Sequence, residues 1–298
     1  QTLDQAYNLI NELCSVFRSM PFWNTGALTI AQDSPQDPTY QFNQSNVING
    51  NFSYSTGDIS TRFNSVTVSY FDMETRDTAF EIVEDVDLIA KYGYNSTEVS
   101  AFACTSRGQA RRLGRWLIYS NCNEAETISF ATSIDAGTIC RPGQIIEVAD
   151  PMRAGGRHGG RISSATTTTV TIDSASGSTV PEGDNPLLSV ILPDGRMETR
   201  PYSYSGGTFT VDPPFSAAPA NNSIWIAQNN TDQTSTWRVL SVNDGGDGTF
   251  GITALSHNSS KYAYVENGEK LQVRDITNLN VRYPGPKNLT YTLQNYAL

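Results

Sequence analysis

His158 and His257 are the only histidines in the chain, so a search for catalysis begins with them. A nucleophile needs a base within hydrogen-bond reach and a third group that orients the base. His158 lies in R-A-G-G-R-H-G-G-R (153–161), and His257 follows an apolar run. Neither stands in a G-x-S-x-G or comparable setting, and a loop histidine without a paired motif is expected to be exposed rather than catalytic. The Gly/Arg loop lacks a Walker pattern and opens no amphipathic helix, which argues against a phosphate cradle. With glycines between Arg153, Arg157 and Arg161, it reads either as a surface loop or as a grip on a neighbouring subunit's carboxylates.

Other candidates are weaker. Asp244-Gly-Gly-Asp-Gly248 suggests calcium, but an EF-hand loop needs alternating acidic groups and a closing Glu. Here Thr249 and Phe250 enter a strand, so a hairpin turn is expected. The run E-I-V-E-D-V-D (81–87) holds enough carboxylates for a glycosidase pair, although its passage into a helix fits a solvated strand end better. Tyr residues in Y-S-Y (202–204) and K-Y-A-Y (261–264) suit either wet strand edges or a sugar-binding surface. Of the four cysteines, Cys14 and Cys104 sit in apolar patterns and read as core thiols, while Cys122 and Cys140 could pair only if their strands are adjacent. No C-x-x-C occurs, and with two histidines a zinc site is not expected; nor is any cofactor. Sequons at Asn51, Asn95 and Asn288 fit chance in an Asn-, Ser- and Thr-rich chain.

The element that organises the chain is Cys104–Tyr119, C-T-S-R-G-Q-A-R-R-L-G-R-W-L-I-Y. Ser106 and Gln109 have capping-box spacing, which predicts a helix beginning there. Ala110, Leu113 and Leu117 then share one face, with Trp116 beside them. Arg107, Arg111 and Arg115 repeat every fourth residue on another face and repel one another. They need carboxylates from their own domain or from a partner subunit, and Glu81–Asp87 is the acidic stretch to look for opposite them.

Around that helix, Thr2 to Met20 reads as a helix stopped by Pro21, and Phe22–Ala31 as a hairpin. The stretch 33–38 reads as a loop, and 43–61 as a loop plus an edge strand. Phe63–Phe71 alternates as a half-buried strand, Ala79–Glu84 is its expected partner, Val86–Tyr92 a short helix ended by Gly93, and Glu98–Ala103 and Ala125–Ala131 further strands. Residues 64–133 therefore read β-β-α-β-α-β, an α+β unit with helices on one face of a sheet. After Thr138, short runs rich in Val, Ile, Thr and Trp, separated by Gly/Pro/Asp turns, carry the signature of a barrel or sandwich. The fold class is β-rich α+β, a small α+β unit beside an antiparallel β-barrel. Expected divisions are 1–63 (helix, hairpin and loop), 64–133 (α+β), 134–283 (barrel) and, after Pro284-Gly285-Pro286, 284–298 as a linker and the start of another domain.

A net charge of −10 argues against nucleic-acid binding as the main task. No run of about 18 apolar residues is present, and no signal-peptide pattern opens the chain. An opening on Gln1 rather than Met suggests a piece of something longer, and unpaired cysteines fit assembly in a bacterial cytoplasm.

The segment T-S-R-G-Q-A-R-R-L-G-R-W-L-I resembles the tail tip attachment protein J family of phage lambda and its relatives. In the same order come S-M-P-F-W (19–23), S-N-V-I (45–48), E-I-V-E-D (81–85), I-A-K-Y-G (89–93), R-P-G-Q-I-I-E-V-A-D (141–150), G-G-R-I (159–162) and D-G-T-F-G-I-T-A-L-S-H (247–257). The resemblance implies phage tail hub-type domains in a virion structural protein. It implies a homotrimer at the end of a siphophage or prophage tail tube, without enzymatic activity. The other tail tip proteins and the tape measure protein would be its partners. DNA would pass through the lumen without specific binding, and a host outer-membrane receptor would be met only through regions absent here. It also implies that 284–298 begins a fibronectin type III domain. On this reading Arg107, Arg111, Arg115, Arg153, Arg157 and Arg161 form an interface to neighbours. The alternative is a carbohydrate-binding or peptidoglycan-hydrolysing module of a cell-wall-active protein.

Overall fold

Val66, Val68 and Tyr70 alternate with Thr67 and Ser69, and this period-two pattern builds the strand on which the first layer grows. The computed structural model describes residues 3–24, 26–58, 61–73, 75–154, 158–173, 180, 184–229 and 235–267. The helix expected over 2–20 is α1 (Leu3–Val16) and stops earlier: Arg18 turns the chain at φ 55°. Pro21 then lies within β1 (Ser19–Asn24), opposite Ile30 of β2 (Ala27–Gln32).

The α+β layer holds β5 (Ser65–Asp72), β6 (Asp77–Glu84), α2 (Val86–Tyr92), β7 (Ser96–Ser100) and α3 (Arg107–Asn123), with strand order β6-β5-β7. Asp85 caps α2 by accepting from the Leu88 N–H at 3.1 Å, and Ser106 caps α3 by accepting from the Gln109 N–H at 3.3 Å. Helix α3 covers one sheet face, and Val66, Val68, Tyr70, Val83, Ala110 and Ile118 form the core between them. The face that α3 buries most deeply is Ala110, Gly114 and Ile118; Leu113 and Leu117 are only partly buried against the same core. Gly114 permits the close approach, because a Cβ there would stand 2.7 Å from Val83 Cγ2. The opposite face of the sheet carries Phe71, Phe80 and Ile82, which are 49%, 58% and 59% exposed.

β8 (Glu126–Ser133) does not belong to that unit. It joins a second, six-stranded sheet with β3 (Tyr40–Asn43), β4 (Ser53–Thr56), β9 (Ile145–Ala149), β16 (Ser235–Asp244) and β17 (Thr249–Ser256), in the order β3-β9-β16-β17-β8-β4. Only β3 and β9 run parallel in it. Phe42, Ile128, Ile146, Trp237, Val239 and Ile252 are buried in its core.

The closed antiparallel barrel contains β10 (Gly159–Ala165), β11 (Thr169–Ile172), β12 (Leu187–Ile191), β13 (Met197–Ser205), β14 (Thr208–Val211) and β15 (Ile224–Gln228), in the order β10-β11-β14-β13-β12-β15. Ile162, Val170, Leu188, Val190, Phe209 and Trp225 fill it. In sequence the barrel is inserted between β9 and β16, so the strands after residue 134 divide between barrel and sheet. Alternation specifies a strand and its buried face but not its partner, so this division had no sequence signal. Three further helices, α4 (Ile134–Ile139), α5 (Pro151–Ala154) and α6 (Ser260–Glu266), were not anticipated. The final strands, the linker and the fibronectin-type start expected over 270–298 lie outside the described residues.

Candidate functional site

The arginine stripe of α3 meets the carboxylate expected of β6. Arg107 Nε donates to Glu81 Oε2 at 2.7 Å, and Arg111 Nη1 to Glu81 Oε1 at 3.4 Å. Glu81 is buried while both arginines keep part of their surface. Its neighbour Glu84 points to the other side of the strand, so the two carboxylates do not flank a common point. Arg115 stacks over Tyr264 of α6, with Cζ 4.5 Å from the ring centroid. Tyr264 in turn donates to Asp85 Oδ2 at 3.1 Å.

Away from α3, Arg153 forms a two-pronged pair with Glu126 and lies over Tyr54 at 4.2 Å. Arg161 donates to the carbonyls of Asn222 and Ser45 at 2.8 and 2.9 Å. Arg157 lies outside the described residues. The structure thus gathers Arg107 and Arg111 on one carboxylate and gives Arg115, Arg153 and Arg161 separate partners within the chain.

His158 is not an exposed loop residue: it is 8% exposed at the start of β10, and its carbonyl accepts from the Ala227 N–H at 2.8 Å. Barrel closure against β15 buries it. Asp244 and Asp247 turn inward on their own hairpin, accepting from the Gly246 and Thr249 N–H groups. The cysteines are free, and burial pushes the Cys140 thiol up to about 12. Among the described residues no three His, Cys, Asp or Glu side chains converge to hold a metal, and no helix is long and apolar enough to cross a membrane.

Sequence reasoning missed a buried charge cluster that joins four parts of the chain. Lys261 of α6, its side chain 2% exposed, reaches Asp33 Oδ2 and Glu124 Oε2, each at 2.7 Å. Arg238 of β16 lies 2.6 Å from Asp33 Oδ1, and Trp116 Nε1 of α3 donates to Asp33 Oδ2 at 2.7 Å. Tyr262 Oη accepts from Arg238 Nη2 at 2.7 Å and lies 2.8 Å from Asp33 Oδ1. The Asn258 N–H donates to Glu124 Oε1 at 3.1 Å. His257 Nδ1 lies 3.5 Å from the same oxygen, at the limit of hydrogen bonding.

Burial pushes both carboxyls of the cluster up, but their partners outweigh it. Arg238, Lys261 and Trp116 hold Asp33 below its ordinary value, and His257, Lys261 and Asn258 do the same for Glu124. Two cations face two carboxylates, so the cluster is neutral and chemically quiet; it fastens the hairpin loop, α3, β16 and α6 together. Beside it lies a cavity of about 690 Å³ whose apolar wall includes Phe17, Met20, Phe102, Leu113, Trp116 and Leu240. No local motif marks this cluster: Lys261 belongs to K-Y-A-Y, and Asp33 to a proline-rich loop.

Residues 5–165 match the family described as "Putative phage tail protein". The chain belongs to this family. It is 29% identical over 280 residues to the tip attachment protein J of Escherichia phage SECphi27, covering 91% of this chain and 23% of that protein. It is 27% identical over 299 residues to the tip attachment protein J of Escherichia phage SECphi4, covering 98% of this chain and 26% of that protein. The chain therefore spans about a quarter of the length of these curated relatives. Among solved structures, a chain of the virion of a native gene transfer agent particle is similar at 13% identity and a TM-score of 0.48, covering 88% of this chain and 41% of that one. The 43 kDa tail protein of prophage MuSo2 from Shewanella oneidensis is similar at 10% identity and a TM-score of 0.35, covering 83% of this chain and 51% of that one. The resemblance carried by the ordered motifs between residues 19 and 257 holds: this is a phage tail protein related to the tip attachment proteins J.

Proposed function

We propose that this chain is part of the central hub of a siphophage or prophage tail tip, a homotrimer that closes the tail tube and links it to distal receptor-binding parts. The observation that carries this reading is the bare face of the β6-β5-β7 sheet. Phe71, Phe80 and Ile82 stand about half exposed there, while the other face of the same sheet packs against α3. An apolar sheet face left open to solvent suits burial in an assembly. The role is structural, without catalysis. The partners are other copies of the chain, the other tail tip proteins and the tape measure protein, and the protein is assembled in the host cytoplasm before it resides in the virion tail. The net charge of −10 suits a lumen through which DNA slides without sticking. Arg107, Arg111, Arg115, Arg153, Arg157 and Arg161 remain proposed contacts. In this reading the exposed portions of the described ones serve both their intrachain partners and a neighbour's carboxylates.

The test is the double substitution Phe80→Glu with Ile82→Glu in the full-length tail protein. The isolated chain should keep its melting temperature to within a few degrees, because both side chains point to solvent. Tail assembly should fail, and the wild-type chain should show a trimer mass by light scattering at high concentration. Normal, infectious tails from the double variant would refute the proposed contact.

A further inference from the structure

Between the barrel and the six-stranded sheet lies a polar seam that the hub reading does not use. Gln41 of β3 and Glu147 of β9 are register partners on adjacent parallel strands, so their side chains leave the same face of the sheet. That face meets the barrel: Gln41 Nε2 donates to the carbonyls of Ser189 (β12) and Ile224 (β15) at 3.3 and 3.2 Å. Those two bonds fix the orientation of the amide, because the nitrogen must face the carbonyls and Oε1 must face away from them. Gln41 is fully buried and Glu147 is 7% exposed. Gln41 Oε1 and Glu147 Oε2 are both buried without a hydrogen-bond partner.

Two orphaned acceptors carried by register partners on one sheet face lack one donor. A buried acceptor left without a donor is destabilising, and a buried unpaired carboxylate more so. Among the described residues, the surrounding elements bring no cation to Glu147. β3 brings Gln41 and Asn43, and β15 brings only neutral side chains. Arg238, which shares this face of β16, is committed to Asp33 and Tyr262. Arg161 of β10 is held by two carbonyls. A carboxyl that keeps its proton supplies the missing donor.

We propose that Glu147 is held in this seam as a neutral carboxylic acid whose hydroxyl donates to Gln41 Oε1, so that the contact between barrel and sheet loosens when the carboxyl gives up its proton to solvent. Burial alone pushes this carboxyl up to about 7, in keeping with that geometry. An unfolded Glu ionises near ~4.3. Between ~4.3 and about 7 the folded chain therefore binds more protons than the unfolded chain. The stabilising contribution is complete below that window and is lost as pH rises through it. This is the reverse of Asp33 and Glu124, whose contributions are lost at lower pH.

The experiment compares the 298-residue chain with its Glu147→Gln variant by thermal unfolding at pH 5 and pH 8. Gln keeps the shape and donates an amide N–H to Gln41 at every pH. The wild-type folding constant should fall by roughly a hundredfold relative to the variant between these two pH values. Every other titrating group cancels in that difference. Parallel pH profiles would overturn the proposal. Infrared spectroscopy of the wild type gives a second readout that survives failure of the variant to fold. A protonated carboxyl C=O band should persist at pH 6, where exposed carboxyls are ionised, and bleach by pH 8. Its absence at pH 6 would equally overturn the proposal.

Discussion

Replacing Lys261 with Met tests whether the charge cluster holds the N-terminal hairpin loop, α3, β16 and α6 together. The side chain is 2% exposed, and its ammonium bridges Asp33 and Glu124. After the substitution Asp33 keeps Arg238 at 2.6 Å and Trp116 at 2.7 Å. Glu124 keeps the Asn258 N–H at 3.1 Å and the distant His257. The loss therefore falls mainly on Glu124, a buried carboxylate stripped of its cation. Removing one partner of a buried ion pair costs about 3–5 kcal/mol. At about 2–4 °C per kcal/mol for a domain of this size class, the midpoint should fall by roughly 6–20 °C at pH 7. Methionine fills most of the volume of the lysine stem, so little of this comes from a cavity.

Adding Glu124→Gln to Lys261→Met removes the stranded charge and should restore about 1–3 kcal/mol of what the single change lost. Lowering the pH from 7 to 5 should also narrow the deficit of the single variant, because Glu124 without its cation takes up a proton more readily. In the wild type the sign is opposite. Asp33 and Glu124 are held low, so their stabilisation is present above ~4 and disappears as pH falls below it. The readout is urea unfolding followed by tryptophan fluorescence. A loss below about 1 kcal/mol for Lys261→Met, or no recovery in the double variant, would refute the reasoning about the cluster.

Gly114→Ala should destabilise the chain by about 1–2 kcal/mol even though Ala favours helix by about 1 kcal/mol, because the new Cβ meets Val83 Cγ2 at 2.7 Å. A gain in stability would mean that α3 sits farther from β6. Cys140, buried with its thiol raised to about 12, should resist alkylation at pH 8 until the chain is unfolded, as mass spectrometry of trypsin fragments can show.

Local chemistry determined the individual elements. Ser106 begins α3 because its hydroxyl accepts from the Gln109 N–H, and alternation through Val66, Val68 and Tyr70 identifies the buried face of β5. The acidic stretch that would answer the arginine stripe was legible too, since three cations one helical turn apart require a counter-charge; Glu81 meets two of them. The order of motifs carried the family. Tertiary structure alone decided which strands share a sheet, because a period of two states which face is buried but not which edge is paired. It was thus the fold that parted β9, β16 and β17 from the barrel and moved β8 away from the α+β unit. It also decided the charge cluster. Asp33, Trp116, Glu124, Arg238 and Lys261 are scattered across the chain, and each is an ordinary polar or aromatic residue in its own neighbourhood. Only packing, by excluding water and bringing their charges within about 3 Å, makes them depend on one another.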